Sequence, residues 1–332
     1  MVFVALVTDH DFPNLEDEEE VFRPLGIELR VANREDRRAF LVEVAAADAL
    51  MNEYAAVDAD TIAAAVRCRA IVRYGVGVDT VDLEAATKAG ICVANVPDYG
   101  MQEVALHAFA LLLAVHRRLR TYDAAVRAGR WLHATAVTPP IHRLRGQTLG
   151  IVGFGRIGRT LAGYAAPLGM HLLTYDPYIS RTAAGEAGAV LVDYATLLRQ
   201  SDIVSFHTPL QAETRHLLGE DEIRMLKPGA IVINTSRGGV VDTAAVARAL
   251  REGRLGGAGL DVFEGEPLPA DHPLRETPNT ILTPHVAWYS EESRRALKRS
   301  VAEEVARVAR GEWPRSLINP DVRPHARLTR AR

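Results

Sequence analysis

The segment from Leu149 to Asp176 reads LGIVGFGRIGRTLAGYAAPLGMHLLTYD, and it restricts the fold more than any other part of the chain. A short apolar run, Leu149–Val152, opens into Gly153, Gly155 and Gly158. Ile157, Leu161 and Ala165 follow at helical spacing, and a second apolar run, Leu172–Tyr175, ends on Asp176. Strand, glycine turn, helix and strand in that order predict a dinucleotide-binding unit. Gly153 permits the tight turn, Gly155 lets the backbone approach a pyrophosphate, and Gly158 lets the helix pack closely on the sheet. The first helical residues, Arg156 and Ile157, bring unpaired N–H groups and the positive dipole end to the phosphates. Asp176 stands where a carboxylate accepts from the ribose hydroxyls of NAD and repels a 2′-phosphate, although an Asp-Pro turn alone also explains it. Arg181 lies near enough in sequence to keep NADP open, but the carboxylate favours NAD.

A chain of 332 residues is long for one core, so two domains are expected. Its hydrophobic share of 48% is that of an ordinary globular protein, and a net charge of −3 offers no footprint for nucleic acid or an anionic membrane. Two cysteines, Cys68 and Cys92, cannot form a disulfide framework, which fits buried thiols in a reducing cytoplasm. The opening MVFVALVTDHDF has no basic leader, and its apolar run of about six residues is too short for a signal core or a membrane span. The arginines between Arg323 and Arg332 lack apolar periodicity and predict a frayed terminus rather than a nucleic-acid arm. No metal site is expected.

Between Val2 and about Asn95 short apolar runs alternate with helical stretches: Val2–Val7, Ile27–Arg30, the Ala-rich segment around Asp60–Arg67, Ala70–Arg73 and Ile91–Ala94. Such alternation predicts a parallel sheet with crossover helices. Met101, Val104, Ala105, Ala108, Leu112, Val115 and Leu119 then fall on one helical face, and the segment Thr121–Arg145, with Trp131, Pro139 and Pro140, reads as an irregular excursion. Beyond Asp176, strands are expected at Ala189–Val192, Ile203–Phe206, Ile231–Asn234, Gly257–Asp261 and Thr280–Thr283. A helix from Trp288 to about Gly311 follows, with Ser316–Asn319 pairing back on the first unit. The expectation is an α/β protein of two doubly wound parallel-sheet domains. A Rossmann cofactor domain, 99–287, is inserted into a flavodoxin-like substrate domain made of 1–98 and 288–332. Closure of the two about crossings near Pro97 and Trp288 is also expected.

Three residues lie just past strand ends, where ligands collect in an open parallel sheet: Arg237 in NTSRGG, Glu266 in DVFEGEP and His285 in TPHVAW. A guanidinium can hold a carboxylate and polarise the adjacent carbonyl. An imidazole can pass a proton to a developing alkoxide, and a carboxylate bonded to that imidazole fixes its tautomer. Each residue alone has an ordinary structural explanation. Together they are what a hydride-carrying nicotinamide needs from its protein.

Glycine motif, Asp176, Arg237, Glu266 and His285 resemble, in order and spacing, the D-isomer-specific 2-hydroxyacid dehydrogenases, the phosphoglycerate dehydrogenase-like family. The likeness runs from VRYGVGVDTVD to SLINPDV and is nearest the C-terminal-binding protein branch, through IVRYGVGVDTVD, YDPYIS, NTSRGGVVD and TPHVAWYSEES. It implies that Arg237 binds the substrate carboxylate and carbonyl, and that Glu266 with His285 forms the acid–base pair. It places Asp261 and His285 near the nicotinamide, with His207, Thr208, Pro209, Thr214, Thr235 and Ser236 lining the cofactor. It assigns Arg73, Tyr74, Gly75, Val76, Gly77 and Trp288 to the substrate.

Tyr74 departs from the smaller aliphatic residue usual in that turn, which predicts a narrower pocket mouth or an added hydroxyl donor. Formate dehydrogenases of the superfamily carry glutamine where Glu266 stands, so formate is not expected as substrate. The length implies no regulatory domain of the long phosphoglycerate dehydrogenases. The resemblance thus implies an NAD-dependent enzyme, cytoplasmic and homodimeric, acting on a small 2-oxo or 2-hydroxy acid. Its rivals are an NADH-sensing protein-binding module of the corepressor kind and a dehydrogenase of phosphite or phosphonates.

Overall fold

The computed structural model describes residues 2–133 and 140–329. The chain forms two units, one from the residues up to Gly100 and from Ser290 onward, the other from Met101–Tyr289. In the first, strands β1 (Val4–Val7), β2 (Glu28–Val31), β3 (Ala49–Asn52), β4 (Ala70–Arg73) and β5 (Cys92–Ala94) make one parallel sheet in the order β2-β1-β3-β4-β5. That is the flavodoxin-like winding. β1, β3 and β4 are buried throughout, as strands covered on both faces must be. Helices α1 (Glu16–Phe22), α2 (Arg37–Ala46), α3 (Ala59–Ala64) and α4 (Leu83–Lys88) connect them. Asp36, Asp58 and Asp82 start α2, α3 and α4 by accepting free amide groups of the first turn.

β3 is absent from the sequence reading, because its four residues follow an alanine-rich stretch that suits helix equally well. The Ser316–Asn319 segment does return to this unit: Ile318 donates its amide to the Val93 carbonyl at 2.8 Å, and Asn319 Oδ1 accepts the Val93 amide at 2.8 Å. The helix Glu291–Ala309, capped by Ser290 and Ser293, buries Leu297, Val301 and Val305 and carries the buried Lys298 to Asp17 at 2.8 Å and Glu18 at 3.4 Å on α1.

In the second unit, α5 (Met101–His116) and α6 (Leu119–Arg127) precede β6 (Thr148–Val152), α7 (Arg156–Ala165), β7 (His171–Tyr175), α8 (Arg181–Glu186), β8 (Val190–Leu191) and α9 (Tyr194–Gln200). The chain then crosses to β9 (Ile203–Phe206), α10 (Glu220–Met225), β10 (Ala230–Asn234), α11 (Thr243–Arg251), β11 (Leu255–Leu260) and β12 (Thr280–Leu282). The seven strands are parallel in the order β12-β11-β10-β9-β6-β7-β8. The reversal between β6 and β9 is a topological switch point, and the crevice beyond it is where such sheets take ligands.

The glycines of β11 let α5 lie close. A Cβ on Gly259 would sit 2.8 Å from Leu111 Cβ, and one on Gly257 would sit 2.5 Å from Val115. The expected long helix ends early, because Arg118 turns the backbone left-handed at φ 57°. Leu119 therefore starts α6 and is 55% exposed instead of joining the buried face. Of the excursion after α6, residues 134–139, Pro139 among them, lie outside the described residues. Among the described residues no helix is long and apolar enough to cross a membrane, and no group of three His, Cys, Asp or Glu could hold a metal.

Candidate active site

The glycine turn follows β6 directly. Gly153 is left-handed at φ 87°, and a Cβ there would meet the His207 carbonyl carbon at 2.8 Å, so only glycine lets this turn pass the end of β9. A Cβ on Gly158 would lie 2.4 Å from the Gly153 carbonyl oxygen, which fixes the closeness of α7 to the turn. Gly155, the residue before α7, is different: a Cβ there would meet nothing within 4 Å. It faces open space, so packing within the chain does not require a glycine at that position. Asp176, at the end of β7, accepts the Phe154 amide at 2.8 Å and the Tyr178 amide at 2.9 Å, and so ties the turn to the neighbouring strand. Arg156 is exposed and Ile157 half-buried at the start of α7.

Past β9, His207 Nε2 bonds the Ser205 hydroxyl at 2.8 Å, and burial lowers the His207 pKa to about 4, keeping the ring neutral. Its Nδ1, Thr208 Oγ1 and, past β10, Thr235 Oγ1 are buried without a hydrogen-bond partner. Three orphaned polar atoms past the ends of β9 and β10, two of them on residues that touch Gly153, fit a polar group bound at the switch point. Thr214 closes the loop after β9, donating to the Pro209 carbonyl at 2.6 Å and accepting the Gln211 amide at 2.8 Å. The donor set, an open glycine, orphaned hydroxyls and a strand-end carboxylate therefore suit a dinucleotide.

Arg237, Glu266 and His285 each follow a strand of the same sheet. The NTSRGG turn is organised by the buried Asn234, whose Oδ1 accepts the Ser236 amide at 3.0 Å and hydroxyl at 2.8 Å while its Nδ2 donates to the Arg237 carbonyl at 2.9 Å. Gly238 then passes against the DVFEGEP loop so closely that a Cβ would lie 1.9 Å from the Phe263 carbonyl. Glu266 accepts the Phe263 amide on Oε1 at 2.9 Å and meets His285 Nδ1 with Oε2 at 2.7 Å. Burial acts to raise the Glu266 pKa, but the hydrogen bond and charge of His285, the Phe263 amide and the charge of Arg237 outweigh it and hold the group below its ordinary value. The carboxylate is therefore ionised at neutral pH beside the imidazole.

His285 is left-handed at φ 56°, an uncommon state for a residue with a Cβ. Asp261, fully buried at the end of β11, stabilises that loop: its carbonyl accepts the His285 amide at 2.8 Å, Oδ1 the Thr283 hydroxyl at 2.6 Å and the Val286 amide at 3.0 Å, and Oδ2 the Ala287 amide at 2.9 Å. His107 of α5 adds a 3.0 Å bond to the same Thr283 hydroxyl. Asn234, Gly238, Thr283 and His107 were not singled out by the sequence. Of these only Gly238, the first glycine of NTSRGG, carried a signal, since a Gly-Gly pair after a strand marks a close approach. Trp288 is half-buried against the Tyr289 ring, 5.9 Å between centroids.

In the first unit, Arg73 ends β4 and its guanidinium lies over Gly75, where a Cβ would sit 1.6 Å from Nη1. Gly75 is at φ 135°, and the exposed Val76 and half-buried Gly77 follow. Tyr74 does not supply the expected pocket hydroxyl. Its side chain is 1% exposed, and its hydroxyl donates to Glu18 at 3.0 Å, because β4 turns this residue into the space beneath α1.

These features are those of a two-domain nicotinamide-dependent dehydrogenase. The model for "D-isomer specific 2-hydroxyacid dehydrogenase, NAD binding domain" matches residues 109–287. The glyoxylate reductase of Thermococcus litoralis is 45% identical over 270 residues, 80% of this chain and 81% of that protein. The D-3-phosphoglycerate dehydrogenase of Archaeoglobus fulgidus is 37% identical over 314 residues, 94% of this chain and 59% of that longer protein. The structure of D-lactate dehydrogenase from Aquifex aeolicus complexed with NAD and lactic acid has a TM-score of 0.86 at 29% identity, covering 95% of this chain and 99% of that one. The chain belongs to the D-isomer specific 2-hydroxyacid dehydrogenase family, with that family's NAD-binding domain, and is an oxidoreductase.

Proposed function

We propose that the protein interconverts a small 2-oxo acid of the glyoxylate kind and its D-2-hydroxy acid. The observation that carries this reading is the 2.7 Å pairing of Glu266 Oε2 with His285 Nδ1 beside the charge of Arg237. Bound NAD supplies the hydride chemistry. The chain holds it through the backbone of Gly153, Gly155, Arg156, Ile157 and Gly158, with Asp176 for ribose hydroxyls. His207, Thr208, Pro209, Thr214, Thr235 and Ser236 line it, and Asp261 and His285 stand toward the nicotinamide. Arg237 anchors the carboxylate and draws electron density from the carbonyl. His285 Nε2 donates a proton to the carbonyl oxygen in reduction and removes it from the hydroxyl in oxidation. Glu266 holds Nδ1, fixing the ring's tautomer and orientation so that Nε2 faces the substrate. We assign Arg73, Gly75, Val76, Gly77 and Trp288 to substrate recognition on the family resemblance.

A steady-state survey of glyoxylate, hydroxypyruvate, pyruvate, longer 2-oxo acids and phosphonate analogues with NADH tests this. Turnover of the short 2-oxo acids is expected. Absence of turnover across the whole series, with NADH binding intact, overturns it. The nucleotide-sensing reading rests on the TPHVAWYSEES motif, and NADH-dependent capture of a protein partner is its test. We also propose a homodimer formed through α5 and α6, supported by the exposure of Leu106, Leu119, Val126 and Trp131 along this stretch. Light scattering at the mass of one chain overturns that.

A further inference from the structure

At the amino-terminal ends of β6, β9, β10 and β11, on the opposite edge of the sheet from Arg237, Glu266 and His285, the second unit holds a cavity of about 210 Å³. His116, the last residue of α5, lines it, is 7% exposed, and has no hydrogen-bond partner on either Nδ1 or Nε2. A buried imidazole unbonded at both nitrogens is unusual, because desolvation is then left without compensation. The proposed hydride chemistry does not use this residue.

The remaining lining is basic. Arg118, His142 and Lys227 face the cavity, against the single carboxylate of Asp202. Both Asp202 oxygens are already engaged, Oδ1 with Lys227 Nζ at 2.9 Å and Oδ2 with the Thr148 amide at 2.7 Å, so the carboxylate's charge is largely answered. Burial, with the charges of Arg117, His142 and Arg118, holds the His116 pKa below its ordinary value. With Lys227 and Asp202 paired to each other, the Arg118 guanidinium is the remaining formal charge of the lining, and the vacant hydrogen-bonding positions are those of an imidazole that can donate. The volume lies below the roughly 300–1,000 Å³ of drug-sized ligand sites, which excludes a nucleotide and leaves room for a compact anion.

We propose that this cavity is a second, non-catalytic ligand site that binds a small oxyanion, phosphate or a short carboxylate, through His116, Arg118 and His142. Inorganic phosphate and malonate, titrated separately against the NADH-saturated protein by thermal shift, distinguish the two anions. His116→Gln and Arg118→Gln are each expected to weaken the response by about tenfold or more, the loss of one charge-assisted donor, while Arg237→Ala, which removes only the carboxylate anchor of the substrate site, leaves the phosphate response unchanged. In wild-type protein, NMR of the His116 ring is expected to show its Cε1–H resonance moving with added anion, a readout that holds even if a variant misfolds. No response to either anion overturns the proposal. So does a response equal in His116→Gln and wild type, which is an adventitious ion only, one lost solely in Arg237→Ala, or an unmoved His116 resonance.

Discussion

Asp261 accepts the His285 backbone amide at 2.8 Å, and its carboxylate binds the two amides and the hydroxyl that flank the same histidine. One buried residue thereby sustains the left-handed backbone that aims the imidazole at Glu266. Asp261→Ala leaves the Thr283, Val286 and Ala287 donors without their acceptor in a buried place, at about 1–3 kcal/mol each before relaxation. Misplacing a proton donor by about 1 Å can lower turnover by about 10²-fold. The expected outcome is a kcat reduced by about 10²-fold together with a lowered Tm, read by steady-state kinetics and calorimetry. A variant with wild-type kcat removes Asp261 from the positioning of His285.

His285 itself separates chemistry from binding. His285→Ala is expected to lower kcat by about 10²–10⁴-fold, the usual contribution of a general acid–base group, with NADH affinity nearly unchanged by fluorescence titration. Glu266→Gln should also lower kcat, and it removes a pH dependence of stability. The folded Glu266 pKa lies below 4.5, so its ionised form stabilises the fold above that pH and the contribution fades as pH falls below 4.5. Urea denaturation at stepped pH should show this acid decline weakened in Glu266→Gln. An unaltered decline contradicts the pairing.

Most of the nucleotide half was legible in the sequence, because each requirement there is local. A tight turn, a close helix and a strand-end acid fall within Leu149–Asp176, and Ile203–Phe206 coincides with β9. Arg237, Glu266 and His285 could be singled out at strand ends, but the sequence tied them to one another only through the family pattern, since the strands that carry them are far apart in sequence. The supporting residues were hidden for the same reason. Nothing local distinguishes the Asn234 that bridges Ser236 and Arg237, or the His107 that reaches Thr283, from ordinary strand and helix residues. Tyr74 misled because the turn's sequence does not disclose Glu18, 56 residues earlier, as the hydroxyl's acceptor.

Two glycines of the same turn should fail in opposite ways. A methyl at Gly155 meets nothing within 4 Å, whereas at Gly158 it strikes the Gly153 carbonyl oxygen at 2.4 Å. Gly155→Ala is therefore expected to fold with an unchanged Tm while NADH binds at least about tenfold more weakly, since the group projects where backbone must approach the pyrophosphate. Gly158→Ala should instead lose about 1–3 kcal/mol of stability, as overpacked sites do. Equal NADH affinity in Gly155→Ala and wild type would mean that the pyrophosphate lies elsewhere.

Glu53 sets an alkaline limit on the first unit. It is 2% exposed at the end of β3, and burial, reinforced by Asp11 and Asp9 against the opposing charge of Arg73, raises its pKa from 4.5 to about 8. The fold favours the protonated acid. Its stabilising contribution is full below pH 4.5, and it is lost as pH rises toward and through about 8. Glu53→Gln keeps the shape and a donor but removes the ionisation. The variant and wild type should therefore have similar urea midpoints at pH 5, and at pH 9 the variant should be more stable by on the order of a few kcal/mol. Parallel stability profiles across that interval would show that Glu53 ionises without hindrance, and would remove the acid cluster around Arg73 as a source of pH sensitivity.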